Sequence, residues 1–305
     1  MAATIEEIER ATLPQLAQTH IDDVLTLLDH GLERLPSYRE LYNRWERQQW
    51  QTQELDFAQD KLDYDRLEGE NSETQQEQSQ KTYASFWIGE YRVTVDLLPF
   101  VIAAPDPEQQ LFLTTQVVDE ARHAVFFDRF YREVLGITGE TLEERLESQR
   151  PYVYRAYKEI FYDTLATIAD DLRQNPKDYE LLVRGVTVYH ILIEGFLALT
   201  GQRFNLDYCK REDVLPGFRA GFTAIMRDES RHITFGTKFL YDAVHQDAKW
   251  AGVVTDQLNR TLPLSLSLLE DSDPTLFGYT REEVNEFAMR SLEKRLRTIG
   301  VNYFG

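Results

Sequence analysis

Apolar positions recur at helical spacing along most of the chain. Over residues 5–33, Ile5, Ile8, Ile21, Val24, Leu25 and Leu28 gather on one side and predict one or two amphipathic helices. Residues 36–50 continue helically, whereas 60–80 is polar enough to read as a surface connection. Ser72 with Gln75 is a capping-box pair opening a helix to about Ala104, where Pro105-Asp106-Pro107 stops it. Asp106 as N-cap and Pro107 at the first helical position start the next helix, which Gly136 and Gly139 end beyond Leu135. Further helices are predicted over 150–172, 177–205, 212–245, 248–270 and 280–298, the last opened by Thr280 with Glu283. Nothing alternates with period two for long enough to make a sheet. The pattern predicts an all-α chain, one domain over 1–305. Its core is a four-helix bundle at about 72–245, with an N-terminal helical extension over 1–50.

Composition narrows the partners. A formal net charge of −19 argues against nucleic acid, because phosphate repels an acidic surface, and fits a solvated cytoplasmic protein. The N-terminus has no basic stretch followed by an apolar run, so no secretory signal is expected. Apolar stretches such as Leu97–Ala104 are too short to span a bilayer, so no transmembrane segment is expected either. Cys209 is the only cysteine, which excludes intramolecular disulfides and thiolate clusters. Any metal must be held by carboxylate, imidazole and water.

One five-residue pattern occurs twice: Asp119-Glu120-Ala121-Arg122-His123 and Asp228-Glu229-Ser230-Arg231-His232. On a helix, residues three apart share a face, so each Glu and its His aim at one place. A single Glu-Xaa-Xaa-His is ordinarily a surface ion pair. Two among six histidines, each flanked by apolar residues such as Val117, Phe126, Ile225 and Phe235, point to a buried site. A buried carboxylate is costly without a compensating charge, and a metal supplies one. A di-metal site in a bundle needs one more Glu from each of two other helices. Glu90 in Phe86-Trp87-Ile88-Gly89-Glu90 and Glu194 in Ile191-Leu192-Ile193-Glu194-Gly195 are lone acids in apolar runs. Four carboxylates and two imidazoles suit iron or manganese.

At these residues the chain resembles the small, radical-generating subunit of ribonucleotide reductase, and within that group the ligand-binding oxidases. The match runs from about Trp50 to about Gly236 and is carried by Trp50, Leu55-Asp56-Phe57, Glu90, Glu120 with His123, Glu194, and Glu229 with His232. The resemblance implies a ferritin-like fold, a homodimer and a di-metal centre, Mn/Fe or Fe/Fe, that activates dioxygen. Glu120 would bridge the metals, Glu90 and His123 would complete one position, and Glu194, Glu229 and His232 the other. Phe127 stands where the tyrosyl-radical subunits have tyrosine, and Glu90 where most have Asp. A minority class of reductase subunits shares both departures.

Val93 and Tyr189 separate the sub-families further. In the ligand-binding oxidases a valine three residues after the first ligand becomes ether-linked to a tyrosine five residues before the third-helix Glu, and this chain has both at those spacings. Residues five apart lie about 140° apart on an ideal helix, so a π-bulge is predicted between Tyr189 and Glu194. The resemblance also implies an apolar channel for a long-chain fatty acid, with Phe127, Ile193, Phe196, Leu197 and Ile225 as wall residues. Asp228 would accept a hydrogen bond from His123, with Trp50 on the same relay. Asp119 receives no role on this basis, and Arg122 and Arg231 are expected in surface or interhelix ion pairs. The competing readings are a tyrosine-less reductase small subunit, a di-iron N-oxygenase, and a metal-storage or purely structural bundle.

Overall fold

The computed structural model describes residues 4–304, and among these no strand occurs. After short helices at Ile5–Arg10 and Leu13–Leu16 come α1 (Ile21–Arg34), α2 (Tyr38–Arg47) and α3 (Ala58–Glu70). The bundle follows as α4 (Glu73–Asp96), α5 (Pro107–Phe130), α6 (Tyr179–Arg211) and α7 (Pro216–Gln246). α8 (Lys249–Asp271) and α9 (Arg281–Ile299) pack on α6 and α7. One continuous apolar core runs from Ile8 to Val301.

The predicted helix starts are present as hydrogen bonds. Ser72 and Gln75 cap one another reciprocally, as do Thr280 and Glu283. Asp106 accepts from the backbone N–H of Glu108 at 2.7 Å. Two boundaries differ. The helix from Ser72 breaks at Leu97 and resumes as Leu98–Ala103, because Pro99 has no N–H to donate and its ring crowds the preceding turn. The helix predicted over 150–172 is preceded by a separate one at Leu142–Gln149, with Pro151 in the 3-10 turn between them.

The polar stretch at 60–80 is not a surface connection. α3 and α4 are separated by Asn71 and Ser72 alone. Asp60 accepts from the backbone N–H groups of Gly217 and Phe218 at 2.8 and 2.6 Å, and Asp63 from that of Leu215 at 2.8 Å. Both acids are buried and satisfy the free donors at the start of α7, where the helix dipole favours negative charge.

The N-terminal helices cover the outer face of α7. Arg227 donates to the carbonyls of Ala11 and Gln48, at 2.8 and 3.1 Å, so α7 is buried from Gly217 through Thr237. α6 is by length and composition apolar enough to cross a membrane, which the shorter Leu97–Ala104 stretch did not suggest. Most of that apolar window, 78%, lies inside the bundle, which accounts for its composition.

Candidate metal centre

Each bundle helix delivers a carboxylate to one buried place. Glu90 comes from α4, Glu120 and His123 from α5, Glu194 from α6, and Glu229 and His232 from α7. They form two overlapping groups, Glu90/Glu120/His123/Glu229 and Glu120/Glu194/Glu229/His232. His123 Nδ1 lies 3.4 Å from Glu90 Oε2, 3.4 Å from Glu120 Oε2 and 3.5 Å from Glu229 Oε1. His232 Nδ1 lies 3.3 Å from Glu120 Oε1, 3.3 Å from Glu194 Oε1 and 3.4 Å from Glu229 Oε2. Glu120 and Glu229 thus offer one oxygen to each group. Glu229, expected at one position only, faces both.

Neither Nδ1 makes a hydrogen bond, although both rings are fully buried. An imidazole nitrogen nearly equidistant from three carboxylate oxygens is arranged as a ligand around a shared centre. Ligands about 2 Å from one ion stand roughly 3 Å or slightly more from each other. The donor set therefore fits two metal ions.

The electrostatics agree. Burial pushes the Glu90 carboxyl up to about 8, against the pull of His123. Burial and the charge of Glu229 hold Glu194 well above the usual range, and burial with the charge of Glu120 raises Glu229. Glu120 is also desolvated, yet the His123 and His232 rings facing it overrule that and take it well below the usual range. Four carboxylates in one desolvated place need cations or protons, and metals would displace the protons.

The opposite ring edges are held in a crossed arrangement. His123 Nε2 on α5 meets Asp228 Oδ2 on α7 at 3.3 Å, and His232 Nε2 on α7 meets Asp119 Oδ2 on α5 at 3.1 Å. Each histidine is oriented by the acid preceding the glutamate of the other motif, which fixes the tautomer that leaves Nδ1 free. Trp50 Nε1 donates to Asp228 at 2.8 Å and Trp45 Nε1 to Asp119 at 2.9 Å. Arg231 donates to Asp119 at 2.9 Å and to Asp228 at 2.7 Å; Arg122 donates to both as well, at 3.0 Å to Asp228. Both arginines bridge helices, and Arg231 is buried rather than superficial.

Asp119 and Trp45 carry no assignment from sequence, yet the motif repeat itself was the signal. If one Asp serves the other motif's histidine, symmetry asks the same of its twin. Gln116 was missed too. It sits one turn before Glu120 and donates to Glu194 Oε1 at 2.8 Å and to the Tyr189 hydroxyl at 3.2 Å. Its carbonyl oxygen meets His190 Nε2 at 3.1 Å. A neutral polar residue inside a helix gives little to notice.

Tyr189 donates to Glu120 Oε1 at 2.7 Å. The predicted π-helical distortion is present and long, covering Thr187–Ala198, so Tyr189 and Glu194 reach the same site. A cavity of about 170 Å³ opens from the centre, lined by Glu90, Val93, Glu120, Tyr189, Glu194 and Glu229 at its inner end. Of the five predicted wall residues, Ile193 and Leu197 line it. Phe127, Phe196 and Ile225 do not, and are corrected to core positions. Phe127 stacks on Phe86 at 6.0 Å, while Phe196 and Ile225 are wholly buried in the apolar core.

Comparison with known proteins agrees with this geometry. The fold is similar to three solved structures of single-residue variants of an R2-like ligand-binding oxidase. Two carry an anaerobically reconstituted Mn/Fe cofactor, at 24% and 25% identity, and one an aerobically reconstituted Mn/Fe cofactor, at 24%. Each superposes with a TM-score of 0.74 over 86% of this chain and 93% of the other. The family model "Ribonucleotide reductase, small chain" matches residues 34–304. With an all-α ferritin-like bundle and the buried carboxylate–histidine cluster within that span, the chain belongs to the ribonucleotide reductase small-chain family.

Proposed function

We propose that the chain is a dioxygen-dependent oxidase with two metal ions, Mn/Fe or Fe/Fe, acting in the cytoplasm on an apolar molecule such as a long-chain fatty acid. The observation that carries this reading is the cavity, whose inner end is formed by four candidate ligands together with Val93 and Tyr189. Glu90, Glu120, Glu194 and Glu229 would hold the pair with His123 and His232 through Nδ1, Glu120 and Glu229 belonging to both groups. When bound, the pair supplies two-electron oxidation by dioxygen.

The protein's part is to position and to exclude water. Gln116 holds Glu194 and Tyr189 in one register. Burial and the neighbouring Glu120 charge keep the Tyr189 phenol protonated, well above its usual range. Loss of two electrons and two protons to dioxygen would join a Val93 side-chain carbon to the Tyr189 oxygen as an ether.

Support for a homodimer comes from exposed apolar residues on α4 and α5, which pack together. Tyr91 and Val95 lie on one, and Leu111, Val118 and Val125 at heptad spacing on the other, with Ile102 between the two helices in the chain at 69% exposure. A second copy would cover them.

Peptide mass spectrometry tests the reading, on protein loaded anaerobically with Fe(II) and Mn(II) and then exposed to air. The expected result is a linked Val93–Tyr189 peptide pair lighter by two hydrogens. Unlinked peptides with two bound metals per chain would favour an N-oxygenase or a reductase subunit. The family itself favours the latter as second reading, and capture of a reductase large subunit would establish it.

A further inference from the structure

The π-helical stretch of α6 has a support from outside the four-helix bundle. In an α-helix the N–H of Leu199 would donate to the Gly195 carbonyl, four residues back. Here it goes to the carbonyls of Glu194 and Phe196 and passes Gly195 over. The bypass belongs to the same π register that sets Tyr189 and Glu194 on one site. A donor from another helix takes up the Gly195 oxygen: Nη2 of Arg295, on α9.

Arg295 is a costly residue to place there. It is 1% exposed, and among the described residues no carboxylate lies within ion-pair distance of it. The acid whose charge bears on it is Asp29, which is already paired with Lys294 at 2.8 Å. Burial pushes the guanidinium down to about 9. A buried cation without a counter-charge is destabilising unless hydrogen bonds hold it. The helical pattern asks for an apolar side chain instead, since Leu292, Leu296 and Ile299 on the same face of α9 all join the core. Gly195 completes the fit. A Cβ there would stand 2.7 Å from Arg295 Nε, 3.0 Å from its Cζ and 2.9 Å from the His190 carbonyl oxygen. Glycine leaves the room that lets the guanidinium lie against this backbone.

We propose that Arg295 is a positioning residue for the metal centre. Its guanidinium stands in at Gly195 for the helix donor that bypasses it, and so holds the π register that brings Glu194 and Tyr189 to one site. The inference rests on the reading of Glu194 as a metal ligand, and makes that ligand's placement depend on a helix outside the bundle.

Arg295→Met tests it, because methionine fills apolar space and cannot donate. In the metal-free protein, hydrogen exchange in peptides covering 187–199 is expected to rise about ten-fold or more, while peptides of α5 keep wild-type protection. In Mn(II) titrations one of two affinities should weaken about ten-fold, and anomalous diffraction should show the weakened position beside His232, not His123. Arg295→Lys, which keeps a charged donor, should recover most of both effects. If the methionine variant fails to fold, the lysine variant carries the test, with a smaller rise confined to 187–199 expected. Exchange that rises evenly over all helices, or equal weakening of both metal positions, makes Arg295 a packing residue and overturns the proposal while the oxidase reading stands. Wild-type protein with no metal beside His232 would overturn the reading of Glu194 as a ligand, and this proposal with it.

Discussion

The two halves of the centre share a five-residue motif and differ in the backbone that supplies their remaining carboxylate. On one side Glu90 stands on the regular helix α4, beside Gly89, where the cavity wall comes close. On the other, Glu194 sits inside twelve residues of π-helix that also carry Tyr189 and His190. A π turn closes through i→i+5 hydrogen bonds, so residues five apart come nearly into line. That is how Tyr189 and Glu194 both reach Gln116. Both halves line the cavity, and the distorted half packs more chemistry into one stretch of helix. The supports differ as well, since Trp50 is buried against Asp228 and Trp45 is half-buried against Asp119.

The largest effect should come from what the halves share. Glu120→Ala removes a carboxylate belonging to both groups, and metal content measured by elemental analysis is expected to fall from two per chain towards none. Glu90→Ala and Glu194→Ala should each leave about one. A Glu120→Ala protein that still held two metals would break the shared-bridge geometry.

The crossed supports come next. Asp228→Asn should weaken metal binding through His123, and Asp119→Asn binding through His232, each by roughly 10- to 100-fold in competition titrations. The second variant is the sharper test, because Asp119 has no role by family resemblance. No change there would make the crossed arrangement one-sided.

A pH effect of intermediate size separates Glu90 from its neighbours. Its carboxyl is held at about 8 in the metal-free fold, above the unfolded value of 4.5, so the fold binds an extra proton between those values. The metal-free protein should therefore lose thermal stability as pH rises from 4.5 to about 8 and level off above that, and Glu90→Gln should flatten that slope. Metal affinity should run the other way and strengthen with pH, since the ion competes with the proton. Thermal melts at pH 6 and 8.5, with and without Mn(II), check both signs.

The smallest effect tests the tryptophans. Trp45→Phe removes one hydrogen bond to Asp119 at a half-buried site and should cost about 1 kcal/mol by denaturant melts. Trp50→Phe, at the buried site stacked over His123, should cost more.

Much of this was legible in the sequence where chemistry and periodicity coincide. A repeated Asp-Glu-Xaa-Arg-His and two lone glutamates in apolar helices put six ligand candidates in register, and side-chain caps marked the starts of α4, α5 and α9. What stayed hidden depended on partners across the fold. α3 was read as a connection because its polar residues look solvent-facing, yet Asp60 and Asp63 are buried against the first N–H groups of α7. Phe127, Phe196 and Ile225 satisfy the same apolar pattern as Ile193 and Leu197, and nothing local says which of them line the cavity. Gln116 shows its role only once α6 is packed against α5.

The most direct test is anomalous diffraction from crystals of the protein loaded with manganese and iron. Two peaks are expected, one about 2 Å from His123 Nδ1 and one about 2 Å from His232 Nδ1, with Glu120 and Glu229 reaching both. A single peak, or metal bound only outside these six side chains, would contradict the account.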